Sequence, residues 1–131
     1  MDTTDVISYI NSNNLVGIRG GSKPREFLYI WMVVVANRIF VRSWGLSERS
    51  WYTAFLEEGT GAIKCGETEV AVRGIIPADI AVLGPKINEA YLQKYTSEHN
   101  RPYANGIVQP AHMAKTLELV PLAAGNIKAK Q

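Results

Sequence analysis

The sequence predicts an α+β domain, mainly β: about six antiparallel strands curled into a small closed or half-closed barrel, with helices on its flanks. Short apolar segments rich in β-branched residues recur between residues 16 and 120, separated by Gly and Asn turn signals. Only three stretches show helical spacing or caps. The 131 residues, 47 % hydrophobic and 20 % charged, suit one domain with a substantial core, and no Pro/Gly/Ser-rich linker divides them. Closing such a sheet removes its exposed edges. The domain is expected to span residues 1–122, with 123–131 a mobile tail that has little to bury.

The elements follow in order. Val6, Ile7 and Ile10 lie at helical spacing behind a possible cap, Thr3 or Thr4, and Asn11 to Asn14 end that helix. Val16 to Arg19 reads as a strand entering a tight Gly20-Gly21-Ser22-Lys23-Pro24 connection, where adjacent glycines permit positive φ. Glu26 to Ala36 is almost wholly apolar, which predicts one strand buried on both faces, including Trp31. Asn37-Arg38 supplies a two-residue turn, and Ile39 to Trp44 return as the partner. Ser47 can cap a helix carrying Trp51, Ala54 and Phe55, which Gly59 stops. A second hairpin runs from Gly61 to Cys65, turns at Gly66-Glu67, and returns over Thr68 to Ile75. Gly84-Pro85 opens a helix with Ile87, Ala90, Tyr91 and Tyr95 as one stripe. His99 to Pro110 reads as a loop, and Lys115 to Val120 as the closing strand.

Several classes are excluded. A net charge of +2 without a Lys/Arg run gives no footprint for nucleic acid. The longest apolar run is too short for a membrane-spanning helix, and no signal peptide is expected behind the acidic N-terminus. A lone cysteine, Cys65, allows no internal disulfide, so a cytoplasmic protein is expected. His99 and His112 lie too far apart, with too few partners, to form a zinc site, and loop positions explain both. There is no Gly-x-Ser-x-Gly elbow, and Gly17 to Pro24 lacks the Gly-Lys-Ser/Thr ending of a nucleotide-phosphate loop.

Four constellations remain. Arg19, Lys23 and Arg25 surround the glycine turn, where cations and free N–H groups can hold an anion; a solvated hairpin tip has the same composition. Alternation places Phe40, Arg42 and Trp44 on one strand face and Ile39, Val41 and Ser43 on the other. An arginine between two aromatics is either stacked and salt-bridged in the fold or faces a ligand with a ring or an anion. Trp51-Tyr52 opens a helix whose first-turn N–H groups favour anions, although core packing suffices to explain Trp51. Tyr91 and Tyr95 lie one turn apart, as packing residues or with phenol tips bordering a pocket.

With those residues in view, the chain resembles a family of bacterial proteins of unknown function. The resemblance rests on Ile30-Trp31-Met32-Val33-Val34, Val41-Arg42-Ser43-Trp44, Trp51-Tyr52, Gly59-x-Gly61, Ala90-Tyr91-x-x-Lys94-Tyr95 and Thr116-Leu117-x-Leu119-Val120-Pro121, across residues 15 to 121. That family is similar in turn to the split β-barrel, FMN-binding-like flavoproteins, above all deazaflavin-dependent nitroreductases. In these, a Gly-Arg-x-Ser-Gly turn, a following Arg, a Val-rich hairpin ending in Ser, and a Trp-Tyr helix build the cofactor site. Gly20-Gly21-Ser22-Lys23 with Arg25, Ser43 and Trp51-Tyr52 stand in those places here, with the glycines reordered and the segment after Ser43 shortened.

The resemblance implies a six-stranded split barrel that binds FMN or a deazaflavin and passes hydride to a small acceptor, the cofactor carrying the chemistry. Lys23, Arg25, Arg42, Ser43, Trp44, Trp51 and Tyr52 are the expected cofactor-binding residues, with Tyr91 and Tyr95 at the substrate pocket. Two alternatives use the same groove. One is a cofactor-free small-ligand-binding barrel; the other is a cofactor-free enzyme with Arg42 as electrophile and Tyr91 as acid. Split-barrel proteins commonly pair, so a homodimer is expected, with no nucleic-acid or membrane partner.

Overall fold

The apolar run 27–36 does not form one central strand. In the computed structural model, which describes residues 1–23, 25–44 and 50–122, it breaks at Trp31-Met32 into Leu28–Ile30 (β2) and Val33–Val35 (β3), at opposite edges of the sheet. The other strands are Val16–Gly20 (β1), Arg38–Arg42 (β4), Thr60–Cys65 (β5), Thr68–Ile75 (β6) and Thr116–Pro121 (β7). All pairings are antiparallel, in the order β2-β1-β5-β6-β7-β4-β3, so the described residues form seven strands rather than six. The sheet curls into a half-barrel, and the two-residue corner between β2 and β3 carries the chain from one edge to the other.

Long-range contacts produce that corner. Met32 is fully buried, and its N–H donates to the Tyr95 hydroxyl at 3.2 Å while its carbonyl accepts from Lys94 Nζ at 2.7 Å. Tyr95 also donates to the Asn14 carbonyl at 2.7 Å, and Lys94 to that of Ile10 at 2.6 Å. With both Met32 main-chain groups satisfied by side chains, no sheet ladder is needed there.

The flanking helices are Thr3–Ser12 (α1), Trp51–Glu58 (α2), Ile80–Lys94 (α3), Arg101–Ile107 (α4) and Pro110–Met113 (α5). Asp2, not Thr3 or Thr4, caps α1 by accepting the Asp5 N–H at 2.8 Å. Ser50 caps α2; the expected cap, Ser47, lies outside the described residues, as do Pro24 and the tail 123–131. Gly59 ends α2 in the left-handed region at φ 78°, as expected of a C-terminal glycine. Helix α3 starts a turn before Gly84-Pro85, leaving the proline inside it, and the expected 99–110 loop contains α4. The hairpin between β3 and β4 turns on Ala36 and Asn37, one residue earlier than expected, at φ 52° and 60°.

Strand alternation sorts the two faces. Val16 and Ile18, Ile39 and Val41, Ile63, Val70 and Val72, and Leu117 and Leu119 form one core with Val6 and Ile10 of α1. Helix α2 seats Phe55 at the end of this core on Gly20, Gly61 and Gly74; an added Cβ at Gly61 or Gly74 would lie 2.5 or 2.6 Å from its ring. The other face carries Val33 and Phe40 into a second core with Leu83, Ile87, Tyr91 and Tyr95. On that same face of β4 and β7, Arg38 pairs with Glu118 and Arg42 with Thr116.

Candidate functional site

The residues of β4 that alternate toward α3 are Phe40 and Arg42, with Trp44 following the strand end. Arg42 is only 2 % exposed. Its Nε donates to Thr116 Oγ1 at 2.9 Å, Nη1 to Asn88 Oδ1 and to the Ile107 carbonyl at 3.2 Å, and Nη2 to the Gly84 carbonyl at 3.3 Å. Every one of these acceptors is neutral. Among the described residues no carboxylate pairs with this guanidinium, although Arg19 has Glu69 and Arg38 has both Asp79 and Glu118. Burial lowers the affinity of Arg42 for its proton, without bringing an arginine near neutrality.

Three segments bring tryptophans to the same place. Trp31 sits at the β2–β3 corner, stacked on Tyr95 with ring centroids 3.8 Å apart. Trp44 stacks on His112 at 4.9 Å, meets Tyr103 edge-on, and lies against Gly106, where a Cβ would be 2.7 Å from its ring. His112 is held by a 2.9 Å hydrogen bond between Nδ1 and the Ser43 carbonyl, an acceptor, so Nδ1 carries the proton. Trp51 opens α2, whose position the three-glycine seat fixes.

All three tryptophans and Arg42 line one open cleft of about 470 Å³. Leu15, the β2 residues Leu28 to Ile30, and His99, Tyr103 and Ile107 complete its lining. Its walls are therefore mostly apolar and aromatic, with one buried cation, the composition of a small-molecule site.

Of the residues expected at the site, the cleft unites Arg42, Trp44 and Trp51. Ser43 and Tyr52 are buried behind it, at 1 % and 6 % exposure. Tyr91 and Tyr95, expected at a substrate pocket, instead fill the core. The Tyr91 hydroxyl accepts the Arg42 N–H at 3.1 Å, the Tyr95 hydroxyl serves the corner, and burial pushes both phenols well up. Tyr91 is thus not placed to act as an acid on a cleft ligand. Lys23 and Arg25 are exposed and lie outside the cleft lining. Trp31, read from the sequence as core, lines the cleft, and His99 and Tyr103, read as loop, join it; their i, i+4 spacing was the signal available.

The glycine turn has its own anion. Glu58 Oε1 accepts the Ser22 N–H at 3.1 Å and the Ser22 hydroxyl at 2.9 Å, and the Gly21 N–H donates to the Thr60 carbonyl at 2.8 Å. A cofactor phosphate would meet a carboxylate there, so this turn does not fit the phosphate position that the resemblance implied. The aromatic cleft does fit a planar ring. Among the described residues no cluster of His, Cys, Asp or Glu could hold a metal, and no helix is long and apolar enough to cross a membrane.

Fold and cleft together define a class: an antiparallel half-barrel with a cleft lined by aromatic residues. The chain belongs to a bacterial family described as "Uncharacterized protein conserved in bacteria (DUF2255)", which matches residues 10–119. No curated protein sequence matches it. Among solved structures it is similar to the conserved hypothetical protein Rv2991 from Mycobacterium tuberculosis, at TM-score 0.56 and 14 % identity, over 95 % of this chain and 81 % of that one. That likeness shows a shared fold.

Proposed function

We propose that this protein binds a small planar aromatic molecule in the cleft. The observation that carries the reading is the convergence of all three tryptophans of the chain, from three separate segments, on one cleft. Tyr95 backs Trp31 and His112 backs Trp44, so these rings are held in place before a ligand arrives. Titration followed by tryptophan fluorescence tests it, with riboflavin, flavin mononucleotide and 2-naphthamide as ligands. Saturable quenching by at least one of them, weakened at least tenfold in Trp44→Ala, is expected. No saturable quenching by any would refute it.

A flavin or deazaflavin is the specific ring that the family resemblance supplies, and the cleft volume lies within the range of cofactor sites. Such a ring would supply hydride transfer to a small acceptor, and the chain would bind and orient it. Under this reading Arg42, Trp44 and Trp51 hold the cofactor, and the protein is reductase-like. Flavin binding together with reduction of a quinone by the loaded protein would support it. Riboflavin-sized ligands that bind without turnover would favour the cofactor-free binding barrel.

A further inference from the structure

We infer that the cleft selects an aromatic carboxylate, whose anionic group is read by the buried guanidinium of Arg42; this rests on the reading of the cleft as a binding site. Among the described residues, Arg19 and Arg38 are matched with acids, yet Arg42, far more buried than either, has neutral acceptors only. A buried charge without a counter-charge is costly, and a ligand anion removes that cost. Among the described residues, four hydrogen bonds engage the Arg42 guanidinium: one from Nε, two from Nη1 and one from Nη2. A guanidinium has five N–H groups, so one on Nη2 has no partner among the described residues, on a side chain that lines the cleft.

One remaining donor and one positive charge match a flat monoanion better than a phosphate, which is satisfied by several donors at once. The glycine turn, whose N–H groups are the expected phosphate donors, already holds the Glu58 carboxylate. A carboxylate conjugated to a ring is also coplanar with it, so a ligand that lays its ring on the cleft aromatics keeps the anion in the plane of the ring.

Calorimetric titration of the full chain with 2-naphthoate and with its neutral isostere 2-naphthamide tests the inference. The expected result is naphthoate binding at least tenfold tighter, a preference that persists in the double variant Lys23→Ala/Arg25→Ala. In Arg42→Gln the ratio of the two affinities should fall to within about twofold of one, whatever change is common to both ligands. Equal affinity of wild type for the two ligands would overturn the carboxylate inference and leave the aromatic-binding reading standing. Loss of the preference in the Lys23/Arg25 variant would move the anion to the turn and overturn it as well. Binding of neither naphthalene nor flavin would overturn both readings. If Arg42→Gln fails to fold, the wild-type pair and the double variant still decide the matter.

Discussion

Replacing Tyr95 with Phe removes one oxygen and keeps the ring that backs Trp31. Three main-chain groups use that hydroxyl: the Met32 N–H at 3.2 Å, the Asn14 carbonyl at 2.7 Å and, at 3.3 Å, the Met32 carbonyl. Asn14 is exposed, so water can replace its lost donor, and the Met32 carbonyl keeps Lys94 at 2.7 Å. The Met32 N–H has no such recourse, because the residue is fully buried. An orphaned buried donor costs about 1–3 kcal/mol, and the lost bonds to the rehydrated groups add little, so a loss of about 2 kcal/mol is expected. With a urea slope of about 1–3 kcal/mol/M for a chain this size, the denaturation midpoint should fall by about 1 M at an unchanged slope. A change below about 0.5 kcal/mol would refute the claim that this hydroxyl holds the corner, since surface substitutions fall in that range.

Ala36→Gly should stabilise the protein by about 0.5–1 kcal/mol in the same assay, because relief at φ 52° exceeds the added freedom of the unfolded chain; destabilisation would show that the turn is not left-handed in solution. Burial lowers Lys94 to about 8 from its ordinary 10.5. Between those values the unfolded chain holds more protons than the folded one, so wild-type stability should rise with pH there relative to Lys94→Met; a constant difference between about pH 7 and about pH 9.5 would refute it. Leu15, Leu28 and Tyr29 are each more than half exposed beside the cleft, on or near an unpaired strand edge. A homodimer covering them should give a two-chain mass in light scattering, and a monomer at high micromolar concentration would count against it.

Local chemistry made part of this fold legible. The Phe40-Arg42 alternation, the Gly59 stop and the hairpin turning at Gly66-Glu67 each depend on near neighbours and lie where the sequence placed them, although β4 ends at Arg42, two residues short of the expected Trp44. The corner at Trp31-Met32 depends instead on Lys94 and Tyr95, more than sixty positions away, and no periodicity within 27–36 reveals it. The helix start at Ile80 was hidden by Pro85, which favours a first turn but is tolerated inside α3. Residue type picked out Arg42, Trp44 and Trp51, which come to line one cleft. It could not separate Tyr91 and Tyr95 from the cleft, since a buried tyrosine and a pocket tyrosine share the same helical stripe. Nor could it foresee that Glu58 closes the glycine turn, a contact spanning thirty-six positions.

The corner also bears on how the molecule comes apart. Strands β2 and β3 are the sheet's two margins, each bound along one side only, and they are consecutive in the chain. A margin that peels away in an ordinary open sheet leaves the opposite margin undisturbed. Here residues 31 and 32 form a tether too short to slacken, so detaching either margin pulls on the other and on the Tyr95–Lys94 clasp. Amides of β2 and β3 paired to their neighbours should therefore exchange with deuterium as one cooperative group, at a rate that Tyr95→Phe raises in both strands together.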